Sequence, residues 1–401
     1  MLEGWGETEW QILLPWPCEC RELTWECASG WRALLDQLEQ ERPEGDSLPS
    51  ALPFAGGWVG FLAYEATSLR NTTPPPEPAA FFARHEAGVA IDANGAAFLF
   101  APEGTEHRYL SLLDGGSAEA MSASTGMRGP LQDSLGEGRY AKGVEQIRDA
   151  IRDGDVYQVN LTRCLSIETS CDAGELYRAL TAPRAPRASA FIRGNGWTVV
   201  SASPEILLSY DRAHGVAESQ PIKGTVRRLG DDDAEIAALL DSEKDASEHL
   251  MIVDVARNDF GTIAPPGAVS VPAFRTVRSL EHVHHLETTV RAEGLQGMQT
   301  SDVLHALSPA ASITGAPKLA AMRMINELEP VPRGVYCGSI GFLDDRGSSM
   351  WSVAIRTAVV TDSLVRYHAG GGIVWDSEAA SEDDETRAKS EAFLRFFGER
   401  V

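Results

Sequence analysis

The chain has 401 residues, 43% of them hydrophobic, which is enough for a large core arranged as one large unit or as two to three domains. Its 58 acidic and 35 basic residues leave a formal net charge of −23. That excludes nucleic acid as the main partner, because gripping phosphates requires a basic footprint.

No run of about eighteen apolar residues occurs, and the N-terminus MLEGWGETEW is acidic where a secretory leader would be basic and then apolar. A membrane partner is therefore not expected, and a cytoplasmic location is. Six cysteines, Cys18, Cys20 and Cys27 near one end and the rest scattered, match neither a disulfide framework nor a tetrahedral zinc spacing. In PFAGGWVGFLAYEA, Gly56, Gly57 and Gly60 interrupt an apolar strand, as glycine does at a bulge or a close backbone approach. NTTPPPEPAA at 71–80 reads as a polyproline-biased surface loop, and the small, polar stretch at 114–130 as a flexible linker.

From there helical and strand periods alternate. Tyr140, Val144, Ile147 and Ile151 recur at helical spacing up to Gly154, and VYQVNLTRCLSI follows as a strand. WTVVSAS and EILLSYD are two strands joined at Ser203-Pro204. In SQPIKGTVRR a single lysine, Lys223, sits in a Pro-Ile-Lys-Gly-Thr turn beside an acidic segment, 231–259, expected as one long helix with an aspartate-rich start. VHHLETTVRAEG is a strand, APKLAAMRMINELEP a helix with proline at its first turn, and a last helix is expected over about Ser381–Phe397. Without a regular βαβ period, the mixture predicts an α+β fold with large, mostly antiparallel sheets.

Charge falls where apolar residues belong. The stripe of Ala392, Phe393 and Phe396 continues backwards through Lys389, Glu385 and Glu382, and Glu248 shares a stripe with Met251, Ile252 and Val255. Inward carboxylates on separate helices suit a hard cation such as magnesium. Solvated helix ends are the other reading. The histidines of HVHHLE alternate faces, so His282, His284 and His285 read as hydrogen-bonding strand residues sooner than as a zinc cluster. SITGAPK and AGGGIV are expected as glycine turns, and neither carries a nucleotide-binding fingerprint.

These segments together resemble the chorismate-utilising enzymes, through GDVYQVNLTR, SASPE, PIKGT, EHLMIVDVARND, VHHLETTV, SITGAPK, YCGSIGF, AIRT, GGGIVWDS and SEDDETRAK, with PFAGGWVGFLAYE at the N-terminal side. The resemblance implies two large antiparallel sheets packed as a sandwich with helices outside. Residues 1–130 would be the N-terminal part of that composite fold and 131–401 the chorismate-binding catalytic region.

Within the family, isochorismate and salicylate synthases carry a water-activating lysine where this chain has Gln158, and anthranilate synthases resemble PIAGT where it has PIKGT. Lys223 thus resembles the signature of the aminodeoxychorismate synthase branch, in which a lysine would be the covalent nucleophile. By the same resemblance Glu205 is a general acid, Glu248, Glu382 and Glu385 hold magnesium, and Gln158, Thr225, His285, Ser312, Tyr336, Arg356, Gly370, Gly371, Gly372 and Lys389 line the substrate pocket. Chorismate and ammonia are the implied substrates, and a separate glutamine amidotransferase subunit the implied ammonia source, since no glutaminase motif is visible in this sequence. An anthranilate synthase, or a non-catalytic paralogue, is the alternative. Met350 and Trp351 depart from the family near a point where members commonly carry an acidic residue.

Overall fold

A computed structural model describes every residue except 6–9, 44–51, 69–73, 115–127, 137, 183–184, 229, 280–282 and 400–401. The expected linker and His282 fall largely or wholly in these gaps, outside the described residues. Among the described residues the strands form an eleven-stranded and a ten-stranded sheet, and every pairing between them is antiparallel.

The first sheet runs from Gln158–Glu168 through Leu364–Ile373, Thr357–Thr361 and Trp197–Ser201 out to the N-terminal strands Leu2–Trp5 and Trp10–Leu13. The second runs from Ile222–Arg227 and Val283–Ala292 through Ile206–Asp211, Ser348–Val353 and Ser339–Asp344 to Gly57–Leu62 and Ala80–His85. Both sheets therefore mix strands from the two ends of the chain.

Their inner faces meet in one apolar layer that includes Trp5, Ile12, Phe54, Phe61, Phe81, Val199 and Phe342. Phe81 meets Trp197 edge-on at 5.0 Å. Truncating one such ring would cost about 3–5 kcal/mol. Helices cover the outside. Trp31–Gln40, Glu243–Gly261 and Thr300–Leu307 pack on the second sheet, and Arg139–Asp153, Ala173–Thr181, Lys318–Leu328 and Glu391–Phe396 on the first. Among the described residues no helix is long and apolar enough to cross a membrane.

Gly57 and Gly60 sit where the sequence predicts a close approach: a Cβ on either would run into the carbonyl of Leu343 or Phe81 on the neighbouring strand. Other expectations need correction. The acidic segment is two helices, Asp232–Asp241 and Glu243–Gly261, because Ser242 takes an extended backbone and its carbonyl accepts from Ala246 N at 3.0 Å to start the second. The C-terminal helix likewise breaks at Ser390, whose Oγ donates to Thr386 O at 2.9 Å. Its buried stripe is Glu382, Thr386, Ser390 and Phe393, which leaves Glu385 and Lys389 on the exposed side. The proline-rich loop is only partly surface, since Glu77 is buried and paired with Arg366.

AGGGIV is no turn. Gly370, Gly371 and Gly372 lie inside the strand Leu364–Ile373, opposite Thr162, Leu161 and Asn160. Glycine is required there because a Cβ on Gly370 would crowd the Thr162 and Asn160 side chains, and one on Gly372 would sit 2.9 Å from Gln158 Nε2. Trp351 is core, edge-on to Phe82 at 6.0 Å, and carries no polar contact toward a site.

Candidate active site

Two passes of the chain between the sheets organise the site. One runs from Ser201 to Ile206 through Ser203-Pro204-Glu205, and the other from Val353 to Thr357 through Arg356. They are tied together by Ala202 N to Arg356 O at 3.1 Å, Val353 N to Glu205 O at 3.1 Å and Ser203 Oγ to Val353 O at 2.6 Å. Arg356 takes a φ of +51°, a costly conformation for a residue with a Cβ, and its side chain is exposed.

Glu205 is 5% exposed, and Ser312 Oγ donates to its Oε1 at 2.7 Å. Burial pushes its carboxyl up to about 7; Ser312 and, electrostatically, Lys223 pull it down, while Glu287 pushes it further up. At neutral pH such a carboxyl is close to half protonated, the poise a general acid needs.

Lys223 stands on the edge strand Ile222–Arg227 and forms an ion pair with Glu248, which the helix Glu243–Gly261 points inward as its stripe predicts. The lysine carbonyl is held by His249 Nδ1 at 3.1 Å. Its Nζ lies 3.7 Å from where a Cβ on Gly372 would be, next to the Gln158 side chain. Among the described residues Gln158 Oε1 and His285 Nε2 are buried with no hydrogen-bond partner, and each is able to take one from a polar ligand. His285 sits opposite the exposed Thr225 in the ladder; burial first, then Arg278, Arg356 and Arg187, lower its imidazole to about 4, so it is neutral at physiological pH.

The glycine strand supplies backbone. Asn160 N and Thr162 N donate away from it, to Thr314 O at 2.7 Å and Glu329 Oε1 at 3.0 Å, so their partners Gly372 and Gly370 form non-hydrogen-bonded pairs. Those two glycines consequently turn their N–H and C=O groups to the opposite edge, beyond the pairing of Tyr367 with Ala358 on the strand Thr357–Thr361. Lys389 Nζ reaches that edge, donating to Gly370 O at 2.9 Å while pairing with Glu385 at 2.7 Å. Tyr336 is buried, stacks on His368 at 5.3 Å and hydrogen-bonds Thr162; burial raises its hydroxyl well above the ordinary value.

Side chains alternate across a strand, so Gly370 and Gly372 face the Gln158, Asn160 and Thr162 side, and Gly371 faces the helices. Glu382, which accepts from Ser377 Oγ at 2.7 Å, approaches on the Gly371 side with Tyr140. It is thus on the other face of the strand from Lys223. Lys223, Gln158 and Gly372 stand together, as do Glu205 and Ser312, while Glu385 and Lys389 stay on the exposed side of their helix. Missed in the sequence were Asn160 and Thr162, although the alternation Q-V-N-L-T, polar at every second position of an apolar strand, marks them. An alanine at Gly372 should displace the Gln158 side chain beside Lys223 and reduce turnover at least tenfold while costing about 1–3 kcal/mol in a denaturant melt, the ordinary range for overpacking.

The sequence profile of the chorismate binding enzymes matches residues 14–395. The chain belongs to that family. Aminodeoxychorismate synthase component 1 of Salmonella typhimurium is 39% identical over 267 residues, 66% of this chain and 58% of that protein, so the match spans little more than half the relative's length. Anthranilate synthase component 1 of Streptomyces coelicolor is 34% identical over 387 residues, covering 86% of this chain and 74% of that one. The crystal structure of anthranilate synthase component I from Streptococcus pneumoniae superposes with a TM-score of 0.84 at 28% identity, over 96% of this chain and 92% of the other. The two-sheet α+β architecture is therefore that of the chorismate binding enzymes.

Proposed function

We propose that this chorismate binding enzyme aminates chorismate to 4-amino-4-deoxychorismate through a covalent adduct on Lys223. The observation that carries the reading is the placement of a lysine, not a small residue, at position 223, beside Gln158 and within electrostatic reach of a carboxyl poised near 7, Glu205. Chorismate's ring hydroxyl is a poor leaving group. Lys223, once it gives up its proton, attacks the ring carbon next to the carboxylate-bearing one; the double bonds shift and the hydroxyl departs as water with the proton of Glu205. Ammonia then adds where the hydroxyl left, the double bonds return, and Lys223 is expelled. Two displacements retain configuration.

Gln158 and neutral His285 suit polar substrate groups, Arg356 suits the enolpyruvyl carboxylate, and the N–H groups of Gly370 and Gly372 suit a further anionic oxygen. The carboxylates of Glu248 and Glu385 are each paired with a lysine, and carboxylate oxygens are the hard donors that a magnesium ion takes. Glu248 and Glu385 would hold it, Glu382 lying on the other face of the glycine strand, and its charge would draw electron density toward the ring carboxylate. Gln at Glu248 or Glu385 should raise the magnesium concentration for half-maximal activity by about tenfold or more, with calorimetric magnesium binding weakened in parallel.

Free ammonia is mostly protonated at neutral pH, so a separate glutamine amidotransferase subunit would supply it unprotonated. The chain alone should use ammonium salt and leave glutamine untouched.

The likeness to anthranilate synthase component I favours a second reading, amination at the ring carbon beside the carboxylate-bearing one. Product identification from chorismate, magnesium and ammonium salt decides: aminodeoxychorismate is expected, and anthranilate would overturn the proposal.

A further inference from the structure

Behind the cleft wall lies a buried ion pair that the chemistry above does not use. Arg333 is 1% exposed and Glu329 is 3% exposed. The guanidinium donates to Glu329 through Nε at 2.9 Å and Nη2 at 2.7 Å, and lies over the Tyr64 ring at 4.8 Å. A buried pair of this kind adds little net stability over a well-packed apolar substitute, so its presence points to another use.

Their other described side-chain hydrogen bonds go to the cleft wall. Arg333 Nη1 donates to Ile313 O at 2.7 Å, inside the Ala311–Ile313 turn that carries Ser312. Nη2 also donates to Asn160 O at 2.9 Å, and Glu329 Oε1 accepts from Thr162 N at 3.0 Å. The short strand Gly315–Ala316 pairs only with Val159 and Gln158, so beyond it the Arg333 and Glu329 side chains continue the ladder that a neighbouring strand would have made.

We propose that the Arg333–Glu329 pair is the positioning unit of this site: it locks the Ser312 turn to the strand bearing Gln158, Asn160 and Thr162, and thereby sets the hydrogen bond from Ser312 to Glu205. The inference rests on the reading of Glu205 as the general acid. It adds what holds the Ser312 hydroxyl against that acid. The fork geometry of arginine is essential, because a lysine can pair with Glu329 but offers no planar set of donors to serve Ile313 and Asn160 as well.

The charged groups acting on Glu205 are Glu287 from the strand Val283–Ala292 and Lys223 from the strand Ile222–Arg227. Asp259, ion-paired with Lys318 at 2.7 Å, lines the same small cavity as Glu205 and Ser312. None of these groups makes a described hydrogen bond to Arg333. Changing Arg333 therefore acts on Glu205 through Ser312.

The test is the pH dependence of kcat/KM for ammonia-dependent turnover in the wild-type chain, Ser312→Ala, Arg333→Lys and the double variant. Measured at a fixed concentration of unprotonated ammonia, the wild-type rate should fall above about 7, where Glu205 loses its proton. Without the Ser312 bond the carboxylate is less favoured, so the falling limb should move up by about one pH unit in Ser312→Ala and in Arg333→Lys, and no further in the double variant. Amide hydrogen exchange should quicken at Ala311–Ile313 and around Thr162 in Arg333→Lys while the strand Ser339–Asp344 keeps its protection. Should Arg333→Lys fail to fold, Glu329→Gln takes its place in both measurements. A limb that Ser312→Ala moves and the Arg333 or Glu329 variant does not would overturn this inference alone. A wild-type profile flat through that range, or a limb unmoved by Ser312→Ala, would remove the assignment of Glu205 and this inference with it.

Discussion

Replacing Lys223 by arginine should abolish amination of chorismate, with a loss of about three orders of magnitude or more, while the melting temperature stays near that of the unaltered chain. Arginine keeps a positive charge opposite Glu248, which is 5% exposed and would be costly to strand without a cation. It remains protonated at any pH the protein survives, so it has no lone pair for attack. Lys223→Ala should lose activity equally but also lose stability, because the inward carboxylate must then take up a proton or stay unpaired. Comparing the two separates the ion pair from the nucleophile. Chorismate turnover with ammonium salt, followed by chromatography beside a thermal melt, reads both; an active Lys223→Arg would remove the covalent step.

Glu205→Gln should reduce turnover by about two to four orders of magnitude, the usual contribution of a positioned proton donor. An amide keeps the size of the side chain and can still accept from Ser312 Oγ, so binding should change far less than kcat. The sign of the pH effect follows from the role: Glu205 acts in its protonated form, and burial holds its carboxyl up to about 7, so its contribution as an acid is full below that pH and falls about tenfold per unit above it, against the rise that Lys223 and ammonia give as they lose their protons. In Glu205→Gln the residual activity should lose this falling limb. A variant with wild-type kcat, or with the limb intact, would show that another group protonates the leaving hydroxyl.

Local patterns read well from sequence where one period governs. The inward turn of Glu248 follows from helical spacing, and the close approaches at Gly57 and Gly60 from glycine inside an apolar strand. The family resemblance supplied the sandwich and the residues around Lys223. What stayed hidden depends on partners far away in the chain. Gly370 to Gly372 look like a turn until Gln158, Asn160 and Thr162 are seen to occupy the space a side chain would need. The breaks at Ser242 and Ser390 each rest on one serine, too weak a signal against long helical patterns, and Glu385 and Lys389 lie off the buried face because its stripe runs through Thr386 and Ser390 instead. Arg333 and Glu329 carry no motif of chemistry; only the fold brings them to Ile313, Asn160 and Thr162.

The central claim is a covalent bond between Lys223 and the substrate ring. Its most direct test is intact-mass and peptide mass spectrometry of the chain quenched with acid after incubation with chorismate and magnesium, ammonia withheld. The predicted result is an added mass of chorismate less one water, on the peptide containing Lys223, discharged when ammonium salt is supplied before quenching and absent in Lys223→Arg. Unmodified protein from a preparation that forms product once ammonia is added, or an adduct on another residue, would contradict it.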